Sequence, residues 1–425
     1  MASLNLLGTL SRVETPFVKV AIGDYTFGVY TSSSDKARGY ELNRRINRDI
    51  HGIQYPNYVQ SLEIQKINGT VNRYSLSISY PITGGDDPNF FEKVFSSVSS
   101  SRKIVFSYGD LSVPTYTYKD EAALITKVTS SVSLSGSKID YTVTAISSSC
   151  LLTAGTYSFR GGRRKPSDVI KTMLYQGSYG LLDVFTGMAD KALVLSKGLI
   201  AGDDKAVQIE DKTNMSVFDY LNYLVGCMVP QSDVSKSAVK SSVYELTVVD
   251  DTSGIYGGPY FKVVRSSGSG IAADTYEIDV GYPSQNIVTA FSVSNNGSYS
   301  LYYSFADGLT DSSYVQRIDD SGTLEAVYAP LIASGNDRHC LTETERNWWT
   351  QMTQYPITAT ITIGGLLRPA ILMTQVKLNM YFYGKKYIYS GTYIITKQVD
   401  TVSSSGYFTK LTMTRVSGDS EPTLI

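Results

Sequence analysis

Apolar and polar positions alternate through three successive runs over residues 378–416. Residues 378–383 and 387–397 are separated by the polar break Gly384-Lys385-Lys386. The second run carries Tyr387, Tyr389, Thr392 and Ile394, residue types that suit a pleated, half-buried surface. A turn at Ser403-Ser404-Ser405-Gly406 follows, and Phe408, Leu411 and Met413 then interleave with Thr409, Lys410, Thr412 and Thr414. The pattern predicts an antiparallel meander with one dry face. A weaker copy stands about 270 residues earlier. There Ile125-Thr126-Lys127 leads through Ser133-Leu134-Ser135-Gly136 to Tyr141-Thr142-Val143-Thr144. In the later copy Ile395-Thr396-Lys397 leads through Ser404-Ser405-Gly406 to Leu411-Thr412-Met413-Thr414. A duplicated β module is one reading; a chance recurrence of threonine-rich hairpins is the other.

The rest of the chain supplies further strands and a few helices. A first β pair is expected over residues 17–30, broken at Gly23-Asp24, followed by a polar arm over 31–51 with Arg38, Arg44, Arg45 and Arg48. Val59, Leu62, Ile64 and Ile67 run into Asn68-Gly69, a strong hairpin signal, and Val71, Tyr74, Leu76, Ile78 and Tyr80 return. Phe91, Val94, Phe95 and Val98 form one stripe of a short helix over 90–98, with Asp87 as its N-cap and Pro88 as its first residue. Residues 151–164 look like a connector whose basic tip is Arg160-Gly161-Gly162-Arg163-Arg164-Lys165. Helices at 169–175 and 216–228 then mix with strands at 243–249, 260–264 and 276–280. Two strands around Asn295-Asn296-Gly297-Ser298 and a helix-like stretch at 342–352 precede the closing meander. The expected fold class is mainly β with an α+β middle part: two β-barrel or sandwich modules, each with a packed helix, flanking a smaller α+β insertion. The corresponding boundaries are 1–155, 165–285 and 286–425.

Composition narrows the function classes. Charged residues make up 18% and the formal net charge is −1, so no overall field steers the chain toward nucleic acid or an anionic membrane. Tyrosine outnumbers the other aromatics, 33 against 14 Phe and 2 Trp, which suits either amphipathic contact surfaces or an ordinary tyrosine-rich β protein. Three widely spaced cysteines, Cys150, Cys227 and Cys340, argue against a disulfide framework and fit a reducing compartment. The triplets at Asn68, Asn214 and Asn296 are then chance matches to a glycosylation acceptor. The start, MASLNLLGTLSRVETPF, lacks the basic and apolar regions of a secretory signal, and no apolar run is long enough to span a bilayer.

No chemistry-bearing constellation emerges. The two histidines are His51 and His339, too few for most zinc sites. His339 adjoins Cys340 in a polar stretch, where neighbouring side chains cannot easily face one another for nucleophilic catalysis. Gly268-Ser269-Gly270-Ile271-Ala272-Ala273 resembles a dinucleotide loop, but the residues after it alternate like a strand and offer no helix N-terminus to a pyrophosphate. Asp86-Asp87 and Asp250-Asp251 are carboxylate pairs without calcium-loop spacing. The basic tip at 160–165 lacks interleaved aromatics for nucleic acid, and a linker explains it better. The reading therefore assigns no catalytic residue, no cofactor-binding residue, no metal ligand and no enzyme activity.

Two regions do resemble a known family. Tyr55-Pro56-Asn57, Ser61-Leu62-Glu63-Ile64, Ile67-Asn68-Gly69-Thr70-Val71-Asn72-Arg73-Tyr74 and Tyr80-Pro81 resemble the N-terminal tube-like domain of tailed-bacteriophage baseplate hub proteins. So do Gly85-Asp86-Asp87-Pro88-Asn89, Glu92-Lys93-Val94-Phe95-Ser96 and Tyr108-Gly109-Asp110. Ser390-Gly391-Thr392-Tyr393-Ile394-Ile395, Gly406-Tyr407-Phe408-Thr409 and Leu411-Thr412-Met413-Thr414-Arg415 are similar to the second such domain. The resemblance implies a homotrimer whose paired tail-tube-type modules present pseudo-sixfold symmetry, joining a six-fold tail tube protein to a three-fold central spike protein among other baseplate subunits. Genomic DNA would pass through the lumen as cargo. The implied location is the virion tail, assembled in the host bacterial cytoplasm, without membrane insertion. A hexameric tube or adaptor protein is the alternative, and a carbohydrate-binding receptor module a more distant one.

Overall fold

The alternating runs become strands in the computed structural model, which describes residues 16–28, 47–49, 54–55, 58–82, 84, 86–98, 102–110, 118–134, 136–175, 198–228, 244–249, 260–265, 276–281, 288–295, 314–318, 324–328, 357–364, 372, 375–403 and 406–418. The N-terminal part contributes β1 (Pro16–Ile22), β2 (Tyr25–Gly28), β3 (Val59–Ile67), β4 (Arg73–Pro81), β5 (Lys103–Asp110), β6 (Tyr118–Val132) and β7 (Lys138–Ser147). Their order across the sheet is β3-β4-β7-β6-β5-β1-β2. The C-terminal part contributes β8 (Tyr276–Gly281), β9 (Val288–Asn295), β10 (Ile357–Gly364), β11 (Gln375–Phe382), β12 (Gly391–Ser403) and β13 (Gly406–Gly418), in the order β9-β10-β13-β12-β11-β8. The protein is mainly β, and both parts belong to one sheet of 16 strands.

The two strand sets β3–β7 and β9–β13 repeat one another. Each is threaded in the same chain order, so that every strand of the first corresponds to the one numbered six higher. Register repeats as well. Leu62 pairs Leu76, which pairs Val143; Phe291 pairs Ile361, which pairs Leu411. Ile104 pairs Ala123, and Val376 pairs Tyr393. Irregularities recur at matching positions, with one extra residue between Val59 and Ser61 in β3 and one between Val288 and Ala290 in β9. A second falls between Ile125 and Lys127 in β6, and again between Ile395 and Lys397 in β12. At that bulge the hydroxyl of Thr126 donates to the carbonyl of Thr144 at 3.1 Å, and the hydroxyl of Thr396 donates to the carbonyl of Thr412 at 3.2 Å. Bulges are positioned features rather than defects, and a shared pair of them is a more demanding coincidence than a shared Thr-rich hairpin. Equivalent inward residues are buried in both sets, Leu76 with Ile361, Ala145 with Met413 and Phe106 with Leu378.

The sixth strand is where the sets part. β1 runs antiparallel to β5, whereas β8 runs parallel to β11.

Helix α1 (Phe90–Ser96) covers the first core. Phe91 and Val94 are fully buried, and Phe91 lies 5.3 Å from Tyr141 and 5.5 Å from Tyr58 between ring centroids. Its N-cap position is Asn89, not Asp87. The Asp87 carboxylate instead accepts from the Asn89 amide at 2.9 Å and from Lys93 Nζ at 2.6 Å, tying the loop to the helix from one turn outside it. Beyond the hairpin of β11, Lys385–Lys386 folds back on Phe382 and Tyr381, and the next strand begins at Gly391 rather than 387. Tyr387 and Tyr389 belong to this turn, where the Ser390 hydroxyl accepts from the Met380 amide and closes the loop.

The middle part has its own core. Helices α2 (Pro166–Tyr175) and α3 (Val217–Gly226) bury Ile170, Phe218, Leu221 and Leu224 against Leu246, Phe261 and Val263. Ser216 caps α3 by accepting from the Asp219 amide at 3.0 Å. The stretch expected as a connector is folded: Tyr157–Phe159 pairs with Lys212–Met215, and Gly162–Arg164 with Val207–Ile209. Phe159 stacks on Tyr220 with centroids 3.8 Å apart. Gly161 permits this, since a Cβ there would stand 2.0 Å from the Ile209 carbonyl oxygen.

Candidate functional site

The two repeats meet along one seam. The C-terminal half of β12 leaves its own core and pairs antiparallel with β3, from Lys397 opposite Ile67 to Ser403 opposite Ser61. The bulge at Thr396 makes this possible. Before it, Tyr393 and Ile395 point into the C-terminal core. One extra residue reverses the alternation, so Gln398, Asp400 and Val402 take up the inward positions, and Val402 with Tyr407 joins the N-terminal core. The Asn68 amide donates to the Thr396 carbonyl at 3.1 Å, while the Gly69 amide donates to Leu246 of the middle part at 2.8 Å. The Asn68-Gly69 turn therefore fastens the middle part to the seam as well as closing its hairpin, with Gly69 at φ +65°.

Charged groups sit inside this seam. Glu121 on β6 accepts from Lys66 Nζ at 2.6 Å, from the Tyr74 hydroxyl at 2.9 Å and from the Tyr108 hydroxyl at 3.2 Å, and it is 1% exposed. Across the seam Asp400, fully buried, accepts from Gln398 Nε2 at 2.7 Å, from the Thr409 hydroxyl at 2.7 Å and from the Tyr407 hydroxyl at 3.0 Å. Lys66 stands opposite Gln398 and links the two groups electrostatically. Burial pushes the Asp400 carboxyl above the ordinary carboxylate range, against the opposing pull of its three hydrogen bonds and the Lys66 charge.

This geometry locks register and leaves little room for catalysis. The two carboxylates and the Tyr74, Tyr108 and Thr409 hydroxyls are closed off from solvent, so no substrate reaches them. A one-residue slip between β3 and β12 would move Lys66 out of register with Gln398 and Asp400 and take the cation from the buried Asp400 carboxyl, whereas Lys66 and Glu121 lie in one strand set and stay paired. Sequence reasoning missed this cluster. Part of its signal was present: Lys66 is a charge at an inward position of the otherwise apolar alternation Leu62-Ile64-Lys66, whereas Gln398-Asp400-Val402 turns inward only past the bulge at Thr396.

The other sequence candidates do not converge. Asp87 is held below the ordinary carboxylate range by its bond to Lys93, a loop brace and not half of a catalytic pair. Of the basic tip, the Gly161 amide donates to Asp211 at 2.6 Å, within the strand ribbons of the middle part. Cys150 and Cys227 are not joined in a disulfide. His51, His339, Cys340, Asp250-Asp251, the glycine loop at 268–273 and the helix expected at 342–352 lie outside the described residues. Among the described residues no group of three or more His, Cys, Asp or Glu could hold a metal ion, and no helix is long and apolar enough to cross a membrane.

Comparison with solved structures places the fold. The chain is similar to the tail protein from Neisseria meningitidis MC58, with 9% identity over 94% of this chain and 96% of that one, at a TM-score of 0.52. It also resembles the prophage MuSo2 43 kDa tail protein from Shewanella oneidensis, with 12% identity over 86% and 94% of the two chains and a TM-score of 0.49. An E. coli component of the type VI secretion system matches at 11% identity, 89% and 79% coverage and a TM-score of 0.48. The first of these carries the assignment: this chain has a tail-protein fold along nearly its whole length. No protein-family model and no curated protein matches the sequence.

Proposed function

We propose that this chain is a structural, non-enzymatic tail protein, the hub of a phage baseplate, in which three copies form a ring of six tail-tube-like modules. The ring joins a six-fold tail tube to a three-fold central spike and leaves a channel through which DNA passes. The observation that carries the reading is the internal repeat. Two strand sets of the same threading, register and bulges lie side by side in one sheet, joined edge to edge. A chain that already holds two neighbouring positions of a ring needs three copies to complete six. The tail-protein fold supports the same class of role, and the buried ionic seam suits a part that must hold one geometry under load. The proposed partners are the tail tube protein, the spike and adjoining baseplate subunits, with assembly in the host bacterial cytoplasm into the virion tail.

Native mass spectrometry of the purified chain, and copy counting in particle images, test this. Three copies per ring are expected. Six copies would favour a tube or adaptor protein, and binding to a glycan array by a chain that forms no ring would favour a receptor module.

A further inference from the structure

The seam inside the chain has a counterpart to which no strand is paired among the described residues. By the repeat, residues 397–403 of β12 correspond to 127–133 of β6, and 61–66 of β3 correspond to 290–295 of β9. β6 pairs with β7 along this stretch, but its other edge beyond Leu124 carries no strand among the described residues. β9 pairs with β10 on one side and, among the described residues, ends the sheet on the other. Of the inward positions 128, 130 and 132 of the β6 extension, two are apolar and in solvent: Val128 is 37% exposed and Val132 65%, and Leu134 at the tip is fully exposed. Val402, the residue matching Val132, is 4% exposed because β3 and the first core cover it. An open strand edge bearing apolar side chains is a template for pairing.

We infer that the occupant of this edge is a second copy of the chain, whose β9 pairs antiparallel with β6 in the register of the internal seam. Transferring that register puts Ser130 opposite Val293, Ser131 opposite Ser292 and Val132 opposite Phe291. Val132 then enters the C-terminal core of the neighbouring copy, as Val402 enters the N-terminal core of its own. The two edges differ, so the contact is head-to-tail and closes only as a ring. The inference rests on the ring reading above and adds to it which strands meet and in what register.

The test uses the full chain carrying Ser131→Cys and Ser292→Cys, both at exposed positions. Directly opposed residues of antiparallel strands have Cβ atoms about 4.5–5.5 Å apart, near enough for a disulfide after slight relaxation. Mild oxidation is expected to yield a covalent trimer on non-reducing gels, reversed by reductant. The single variants, and Ser131→Cys with Ser294→Cys two positions out of register, should not link. A three-copy assembly by native mass that fails to cross-link would overturn the pairing and leave the hub reading standing. Cross-linked rings of six chains would overturn the threefold hub and keep the pairing, and a chain that stays monomeric would overturn both. As a second arm, Val132→Asp is expected to leave the near-ultraviolet circular dichroism of the monomer unchanged and to weaken assembly by at least about tenfold. Undiminished assembly by that variant would also overturn the pairing.

Discussion

Replacing Lys66 by methionine isolates the contribution of charge to the seam. Methionine keeps most of the aliphatic stem but leaves Glu121, 1% exposed, with two hydroxyl donors and no cation, and deprives Asp400 of its attracting charge. Removing one partner of a buried ion pair costs about 3–5 kcal/mol, because the remaining charge stays desolvated. The loss should be local at first, since the chain has three separate cores and global unfolding need not be two-state. Hydrogen–deuterium exchange read by mass spectrometry is therefore the assay. Peptides covering 61–67 and 397–403 should exchange on the order of 100- to 4,000-fold faster, while peptides of α2 and α3 change little. Adding Glu121→Gln to Lys66→Met removes the orphaned charge and should recover most of the loss, as replacing both members of such a pair often does. If Lys66→Met accelerates exchange at the seam less than tenfold, or if the double variant is worse than the single, the charged network is not what holds the repeats in register.

Other substitutions probe separate steps of the argument. Asp400 has a raised carboxyl pKa in the folded state, so the folded protein holds a proton that the unfolded chain releases above the ordinary value of 3.8. Its burial therefore lowers stability as pH rises from that value through the raised one, and Asp400→Asn should flatten this decline in urea titrations carried upward from the ordinary carboxylate range. Phe91→Ala removes the ring on which Tyr58 and Tyr141 pack and should cost about 3–5 kcal/mol, seen as a lower urea midpoint for the N-terminal core. Gly281→Ala would place a Cβ 2.0 Å from the Tyr381 carbonyl oxygen at φ +97°, and should detach β8 from β11, detected as faster exchange at 276–281.

Much of the architecture was legible where local signals and tertiary demands agree. Asn68-Gly69 made its hairpin, the stripe of Phe91 and Val94 made α1, and the paired Ile-Thr-Lys segments made paired hairpins. The Thr at the centre of each segment turned out to be the bulged residue, which alternation alone cannot reveal because a bulge is defined only against a partner strand. Boundaries failed where long-range pairing decided them. Residues 157–164 read as a linker from their Gly and Arg content, yet strands at 207–209 and 212–215 draw them into ribbons. The strand expected to begin at 387 begins at Gly391, since Lys385–Lys386 returns to β11 first. The seam network was legible only in part: Lys66 interrupts an apolar alternation, but its partners Glu121 and Asp400 are remote in sequence and only the folded sheet brings them to it.

The network also bears on why the two repeats are not interchangeable. At the outer edges the position of Lys66 is held by Asn295, that of Glu121 by Gly391, that of Asp400 by Ser130 and that of Gln398 by Val128. If the outer edge of β6 pairs with β9 of another copy, that joint has neither the buried cation nor the carboxylates. Pairing β12 of one chain with β9 of another would bury Asp400 without Lys66, and pairing β3 with the outer edge of β6 would offer Lys66 no carboxylate from across the joint. The β12–β9 mismatch would leave the buried Asp400 carboxyl without a nearby cation, a cost on the order of several kcal/mol, whereas Lys66 keeps its bond to Glu121 in either arrangement. A repeat that evolved as two identical halves could assemble in open or swapped chains. If the outer edges meet as proposed, differentiating one joint by charge and the other by Val132 and its neighbours would give the chain a single way to fold on itself and a single way to meet its copies.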